Sequence, residues 1–209
     1  EAVFTLCDSV DPLARTIGAV NTLVVRDGRV HGSNTDYLGF LGNLDAGAPG
    51  WDHQLNHVIV LGAGGAARAI LVALKSRGLP VWLLNRTRAT ADSLASQIDG
   101  EIAAGDLADF NRLAPQAGLV VNTTSIGMHG TSFGGFDLGC LPADALVTDI
   151  VYVPLQTPLL EAAQARGLRT VDGLGMLLHQ AVPGFEAWFG ERPQVAPALR
   201  TLIQATLEP

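Results

Sequence analysis

The stretch that most restricts how this chain can fold is Val58-Ile59-Val60-Leu61, followed at once by Gly62-Ala63-Gly64-Gly65-Ala66-Ala67. A short, wholly apolar run bounded by turn residues reads as a strand covered on both faces. The glycines then read as a tight turn into a helix. Gly62 permits the turn, Gly64 lets a pyrophosphate come close to the backbone, and Ala67 takes the small position where helix meets strand. Backbone N–H groups at the start of the helix, around Gly65 and Ala66, would face the phosphates. Ala67, Ile70, Leu71 and Leu74 give that helix an apolar stripe. An ordinary tight βα turn can carry the same glycines, so the flanks decide. A second apolar run at 81–84 ends where a βαβ unit needs it.

The residues after that run are Asn85-Arg86-Thr87-Arg88. A site for NAD usually places Asp or Glu here, on the ribose 2′-hydroxyl. Two arginines and a threonine suit a 2′-phosphate instead, because guanidinium pairs well with phosphate oxygens. The expected cofactor is therefore NADP; arginines on a solvated helix start are the plainer alternative.

From residue 57 onward, strand-like runs at 58–61, 81–84, 119–122, 146–149 and 169–171 alternate with helical patterns at 66–77, 89–98 and 156–166. That alternation predicts a doubly wound α/β fold, a parallel sheet of the Rossmann type. Before it, Asp11-Pro12 reads as a cap and first-turn proline of a short helix to about residue 16. A strand at 19–25, a turn at Asp27-Gly28 and a second strand carrying Val30 follow. Asp36 could cap a helix through residue 44. Residues 45–56, rich in Gly, Pro and Asp, suggest a boundary, with helix 36–44 as an alternative connector. Two more helices are expected at 176–189 and 194–207. The resulting division is 1–44, 45–175 (a nucleotide domain) and 176–209.

Composition closes off other classes. At 209 residues the chain suits one large or two small domains. A formal charge of -7 argues against a nucleic-acid partner. No apolar run approaches the length of a membrane span. Cys7 and Cys140 stand far apart, as reduced thiols of a cytoplasmic protein would. The five histidines show no ligand spacing, so no metal is expected.

Several segments, in this order and spacing, resemble shikimate dehydrogenase over nearly the whole chain. They are Ile17-Gly18-Ala19-Val20-Asn21-Thr22, Asn34-Thr35-Asp36-Tyr37-Leu38-Gly39, the glycine turn, Asn85-Arg86-Thr87, Asn122-Thr123-Thr124-Ser125-Ile126-Gly127-Met128, Asp149-Ile150-Val151-Tyr152, Thr157-Pro158-Leu159, and Asp172-Gly173-Leu174-Gly175-Met176-Leu177-Leu178-His179-Gln180. The resemblance implies NADP-dependent, reversible reduction of 3-dehydroshikimate to shikimate, with residues 1–44 as an incomplete α/β substrate-binding domain to which the helices of 176–209 return. It implies that Asn21, Asp36 and Gln180 meet substrate hydroxyls, that Asp36 belongs to a Lys–Asp catalytic couple, and that Tyr152 lies near the substrate. Thr124, Ser125 and Met128 would border the cofactor, and Gly173 and Met176 would sit by the nicotinamide. Family members often carry Arg or Lys three residues after the threonine of Asn-Arg-Thr. Here Thr90 stands there, so either Arg88 substitutes or the phosphate grip is weaker.

Read without the family, these residues keep other roles open. Asp36 could be a helix cap worth about 1 kcal/mol. Asn21, amid apolar neighbours in a strand, needs partners that are either backbone or substrate. Gln180 could face solvent, and Tyr152 could pack at a strand end. The family's lysine lies in an Asn-Val-Thr-x-Pro-x-Lys segment that would fall before Glu1. Lys75, the single lysine, lies some eleven residues past the phosphate turn, roughly 16 Å along the helix. The expectation is a chain without its N-terminal segment that binds NADP(H) and turns over poorly. Strands near Val20 and Val30 would then expose unpaired edges that invite a homodimer. Two readings stand beside the first: a quinate/shikimate dehydrogenase, and a catalytically silent NADP-binding module.

Overall fold

The computed structural model describes residues 2–53 and 55–207. After a 3-10 turn at Ala2–Leu6, the chain forms β1 (Ser9–Val10), α1 (Pro12–Ile17), β2 (Thr22–Arg26), β3 (Arg29–Ser33) and α2 (Asp36–Gly47). A βα alternation follows: β4 (His57–Leu61), α3 (Gly65–Ser76), β5 (Val81–Asn85), α4 (Arg88–Ala95) and β6 (Ile102–Asp106). Next come α5 (Phe110–Leu113), β7 (Ala117–Asn122), the extended segment β8 (Ile126–His129), β9 (Leu146–Asp149), α6 (Pro158–Ala165) and β10 (Arg169–Val171). Two helices, α7 (Leu174–Phe189) and α8 (Pro197–Leu207), complete the described chain.

Six strands form a parallel sheet in the order β10-β9-β7-β4-β5-β6. The strand order reverses between β4 and β7. In open α/β sheets such a switch point opens a crevice at the strand C-termini, where ligands bind. Alternate residues of β4 serve opposite cores. Val58 and Val60 join Ala67, Ile70, Leu74 and Phe40 on one face, while Ile59 and Leu61 join Phe110, Val120, Val147 and Leu160 on the other. All four of these β4 residues are fully buried, as a strand sandwiched between helix layers must be.

The second sheet is small, in the order β1-β3-β2, with β2 and β3 joined as a hairpin. Asp27 (φ 51°) and Gly28 (φ 73°) both take left-handed conformations, the geometry a two-residue hairpin turn requires. The first strand of this hairpin begins at Thr22, not residue 19, so Val20 and Asn21 precede it. Val30 lies on β3, which is the central strand. The long exposed edge is β2 instead, and it is partly occupied, because Trp188 Nε1 donates to the Leu23 carbonyl at 3.0 Å.

Asp11 caps α1 as expected, its side chain accepting from Ala14 N at 2.9 Å, and Gly18 (φ 75°) ends that helix. Asp36 does not cap α2. Thr35 is the cap residue, and the Asn34 side-chain oxygen accepts from Asp36 N at 3.0 Å, which leaves the Asp36 carboxyl free for other partners. The helix runs on to Gly47. Its small residues meet α7 closely: a Cβ on Gly39 would stand 2.7 Å from Gln180 Cβ, and one on Gly42 would stand 2.8 Å from the His179 ring. That crossing brings the start of α2 beside the middle of α7.

Candidate active site

Asn21, Asp36 and Gln180 are brought together by the two layers just described. Asn21 is exposed and sits just ahead of β2 rather than within a strand. Its side-chain oxygen accepts from Thr35 N at 3.0 Å and from Thr22 Oγ1 at 3.0 Å. These bonds aim its amide nitrogen, which donates to Asp36 Oδ1 at 2.9 Å. Burial pushes the Asp36 carboxyl above the ordinary carboxylate range, and the Asn21 bond only partly offsets this.

Asp36 opens onto a cleft of about 190 Å³ lined also by Ala66, Ile150, Tyr152, Gly173, Met176, Leu177 and Gln180. Four separate stretches of sequence meet there. A second cleft, of about 390 Å³, lies against it and is lined by Thr123, Thr124, Ser125, Met128, Ile150, Val151, Tyr152 and Val153. Ile150 and Tyr152 border both, so the two clefts share a wall. Met128 is 40% exposed and Met176 is buried, so both reach this region from opposite depths.

The glycine turn lies at the head of β4, beside these clefts. Gly62 has φ 99°, and a Cβ on it would come within 2.5 Å of Thr124 Cγ2. Gly64 and Gly65 differ: a Cβ on either would meet nothing within 4 Å. Their smallness answers no protein neighbour, and the open space at the start of α3 suits a group brought in from outside. Beyond β5, Asn85 Nδ2 donates to the Thr87 carbonyl at 3.0 Å and shapes the turn. Arg86 is exposed with no ion pair among the described residues. Arg88 lies 3.7 Å from Asp92 in an exposed i,i+4 pair worth little on its own. Ala63 and Ala66 lie on the same turn.

Lys75 lies elsewhere. Its ammonium donates to the Glu101 carbonyl at 3.2 Å, at the far end of α3. Among the described residues no group of three or more His, Cys, Asp or Glu is placed to hold a metal ion. No described helix is long and apolar enough to cross a membrane. Both cysteines are free.

The sequence segments that contain Asn122, Asp149 and Thr157 gave these three residues no role. All three are fully buried and hydrogen-bonded to one another at the strand ends that carry the clefts. A signal for two of them was present: each of the apolar strands β7 and β9 ends on a polar residue.

The family model for shikimate / quinate 5-dehydrogenase matches residues 48–129, and that for the shikimate 5'-dehydrogenase C-terminal domain matches residues 173–203. The chain is 53% identical to the shikimate dehydrogenase (NADP(+)) of Brucella abortus (strain S19), over 99% of this chain and 73% of that protein. It is 56% identical to its namesake in Methylobacterium radiotolerans, over 99% and 75%. Among solved structures it resembles shikimate 5-dehydrogenase from Thermus thermophilus in complex with NADP(H) and shikimate. There the TM-score is 0.85 and the identity 36%, covering 99% of this chain and 75% of that one. It also resembles quinate dehydrogenase from Corynebacterium glutamicum in complex with NAD, with a TM-score of 0.89 and 34% identity over 98% and 74%. Spanning about three quarters of these relatives' length, and sharing more than half of its aligned residues with the Brucella and Methylobacterium proteins, the chain belongs to the shikimate dehydrogenase family, the NADP-dependent oxidoreductases that interconvert 3-dehydroshikimate and shikimate.

Proposed function

We propose that the cleft between Asp36 and Gln180 is the substrate site and that NADP lies across the β4–β7 switch point beside it. One observation carries this reading: Asp36, Tyr152, Gly173, Met176 and Gln180, distant in sequence, line a single cleft next to the glycine turn. The pyrophosphate would lie on the N–H groups at Gly64, Gly65 and Ala66, with the 2′-phosphate toward Arg86, Thr87 and Arg88. The nicotinamide end would then point the other way along the sheet, toward Thr124, Ser125, Met128 and Gly173. The cofactor supplies the hydride. The protein's own groups bind and orient the substrate: Asn21 and Gln180 are amides able to donate to or accept from ring hydroxyls. Asp36, with its raised pKa, suits a group that holds or passes a proton. The substrate's ring would have Ile150 and Tyr152 as its wall. Residues 1–44 with 176–209 would form the substrate-side unit and residues 45–175 the nucleotide unit, a division consistent with a family match that starts at residue 48.

Quinate with NAD is the second reading, favoured by the likeness to the Corynebacterium enzyme. The absence of any acid at 85–88 weighs against it. Titration with NADPH and NADH, and turnover with shikimate and quinate, separate the two. Tight NADPH binding with shikimate-dependent reduction supports the proposal, and a preference for NADH sinks it. We also place the protein in the cytoplasm, where two free cysteines persist. A homodimer meeting along β2 is the assembly its edge supports, and light scattering would test it.

A further inference from the structure

We infer that Asp149 is a positioning residue whose buried carboxylate ties together the two loops that wall the nicotinamide end of the crevice. The inference rests on the cofactor placement proposed above. Asp149 ends β9 and is the register partner of Asn122, which ends β7. Both side chains are fully buried. Asp149 Oδ1 accepts from Asn122 Nδ2 at 2.9 Å and from Val151 N at 2.9 Å. Its Oδ2 accepts from Thr157 Oγ1 at 2.8 Å. Three neutral donors thus converge on one carboxylate, and no cation among the described residues pairs with it.

Each donor belongs to a different piece of backbone. Thr157 is the cap of α6, and Val151 lies in the loop between β9 and that helix. Asn122 passes the constraint on. Its second amide hydrogen goes to the Ile126 carbonyl at 2.7 Å. Its oxygen accepts from Thr124 N at 2.9 Å and from Thr124 Oγ1 at 2.8 Å. The Asn122 amide has two donors and one oxygen with two lone pairs, so nothing in it is left over. The loops held in this way are 123–126 and 150–152, and they supply Thr124, Ser125, Ile150 and Tyr152 to the two clefts. Gly173 is drawn in as well, since a Cβ there would come within 2.5 Å of the Ile150 carbonyl oxygen. The phosphate turn and residues 85–88 supply no donor to Asp149 or Asn122; the turn meets loop 123–126 through separate bonds, Thr123 Oγ1 donating to the carbonyls of Leu61 at 2.8 Å and Gly62 at 3.1 Å.

This division gives the network a signature that general loosening would not have. Removing the acceptor leaves three buried donors without a partner, and the penalty falls on the loops at the nicotinamide end. Asp149→Asn retains one oxygen for Asn122 and Val151, and its amide can donate to Thr157 Oγ1, so it serves as the conservative rescue.

The test uses the whole chain and two probes: NADPH, followed by its dihydronicotinamide fluorescence, and adenosine 2′,5′-bisphosphate, which lacks the nicotinamide. Asp149→Ala is expected to abolish the fluorescence enhancement and weaken NADPH about tenfold, with bisphosphate affinity held within about twofold. Asp149→Asn should recover most of the enhancement. Parallel weakening of both probes, or an enhancement unchanged in Asp149→Ala, overturns the inference. Should Asp149→Ala fail to fold, Thr157→Val is read by the same criterion: reduced enhancement at constant bisphosphate affinity supports the inference and an unchanged signal overturns it. Failure of the parent chain to bind NADPH would instead remove the cofactor placement beneath it.

Discussion

The two sheets of this molecule solve the burial problem differently. In the six-stranded sheet, Val58, Ile59, Val60 and Leu61 of one strand are all fully buried. Much of the cover comes from helices that follow the sheet's own strands in sequence, so covering and covered are largely encoded side by side, and α2 adds Phe40 and Leu44 on the face of Val58 and Val60. In the three-stranded sheet, Leu23 is 40% and Val25 is 68% exposed. Its cover comes from far along the chain, through α7 and the Trp188 bond to Leu23. Local encoding supplies most of the core around the six-stranded sheet. Long-range encoding makes the three-stranded sheet depend on partners distant in sequence, and the candidate site draws residues from both parts, Asn21 and Asp36 from one side and Ala66, Ile150 and Tyr152 from the other.

Truncation of core residues should separate the halves most widely. Ile70→Ala or Leu61→Ala removes a fully buried side chain and should cost about 2–5 kcal/mol. Val25→Ala should stay within about 0.5 kcal/mol, as exposed changes do. Urea unfolding followed by fluorescence gives both values, and comparable losses at the two sites would break the contrast.

Gly62→Ala comes next. The new Cβ would meet Thr124 and hold φ 99°, so backbone strain of about 1–3 kcal/mol is expected. The melting temperature should fall, and NADPH affinity should fall with it. Gly65→Ala provides the sharper comparison, since its Cβ would meet no protein atom. That variant should fold as the parent does and still bind NADPH less well, as calorimetry paired with titration would reveal.

Arg86→Ala tests the cofactor's identity with a smaller effect. The side chain is exposed and makes no ion pair among the described residues, so stability should hardly change. NADPH affinity should drop about tenfold, the loss of one charge-assisted contact, while NADH affinity stays put. An equal loss for both nucleotides would move the 2′-phosphate away from this turn.

Where the sequence was readable, local pattern and final packing agreed. The strands at 146–149 and 169–171 match their observed bounds, and the helix after the glycine turn begins one residue earlier than expected. Strand β6 escapes a reading of local pattern because Ile102-Ala103-Ala104-Gly105-Asp106 has little intrinsic strand preference, and pairing with β5 makes it a strand. Strand β1 has two residues and depends on β3 for its existence. Asp36 reads as a cap because local spacing cannot tell which neighbour reaches the first free N–H; Asn34 does so instead. The closeness of Gln180 to Asp36 depends on the Gly39 and Gly42 crossing, a contact between segments too far apart in sequence for periodicity to register.

The subtlest contrast is between function and stability at Asp36 itself. Burial raises its folded-state pKa above the ordinary 3.8, and the Asn21 bond opposes this only in part. A raised acid pKa means that the folded state holds the proton more tightly than the unfolded state. The destabilisation is absent well below pH 3.8, grows as the pH rises toward the folded-state value, and stays constant above it. Asp36→Asn keeps an oxygen for Asn21 and removes the buried charge. The variant should melt above the parent at neutral pH, and the difference should close as the pH falls below 3.8. Shikimate turnover should fall about 100-fold if the carboxylate handles the proton, a loss of activity that accompanies the gain in stability. A variant no more stable than the parent at neutral pH would mean that the helix start and Asn21 already compensate the charge. Asp36 would then be an ordinary carboxylate, and its part in proton transfer would rest on the turnover of Asp36→Asn alone.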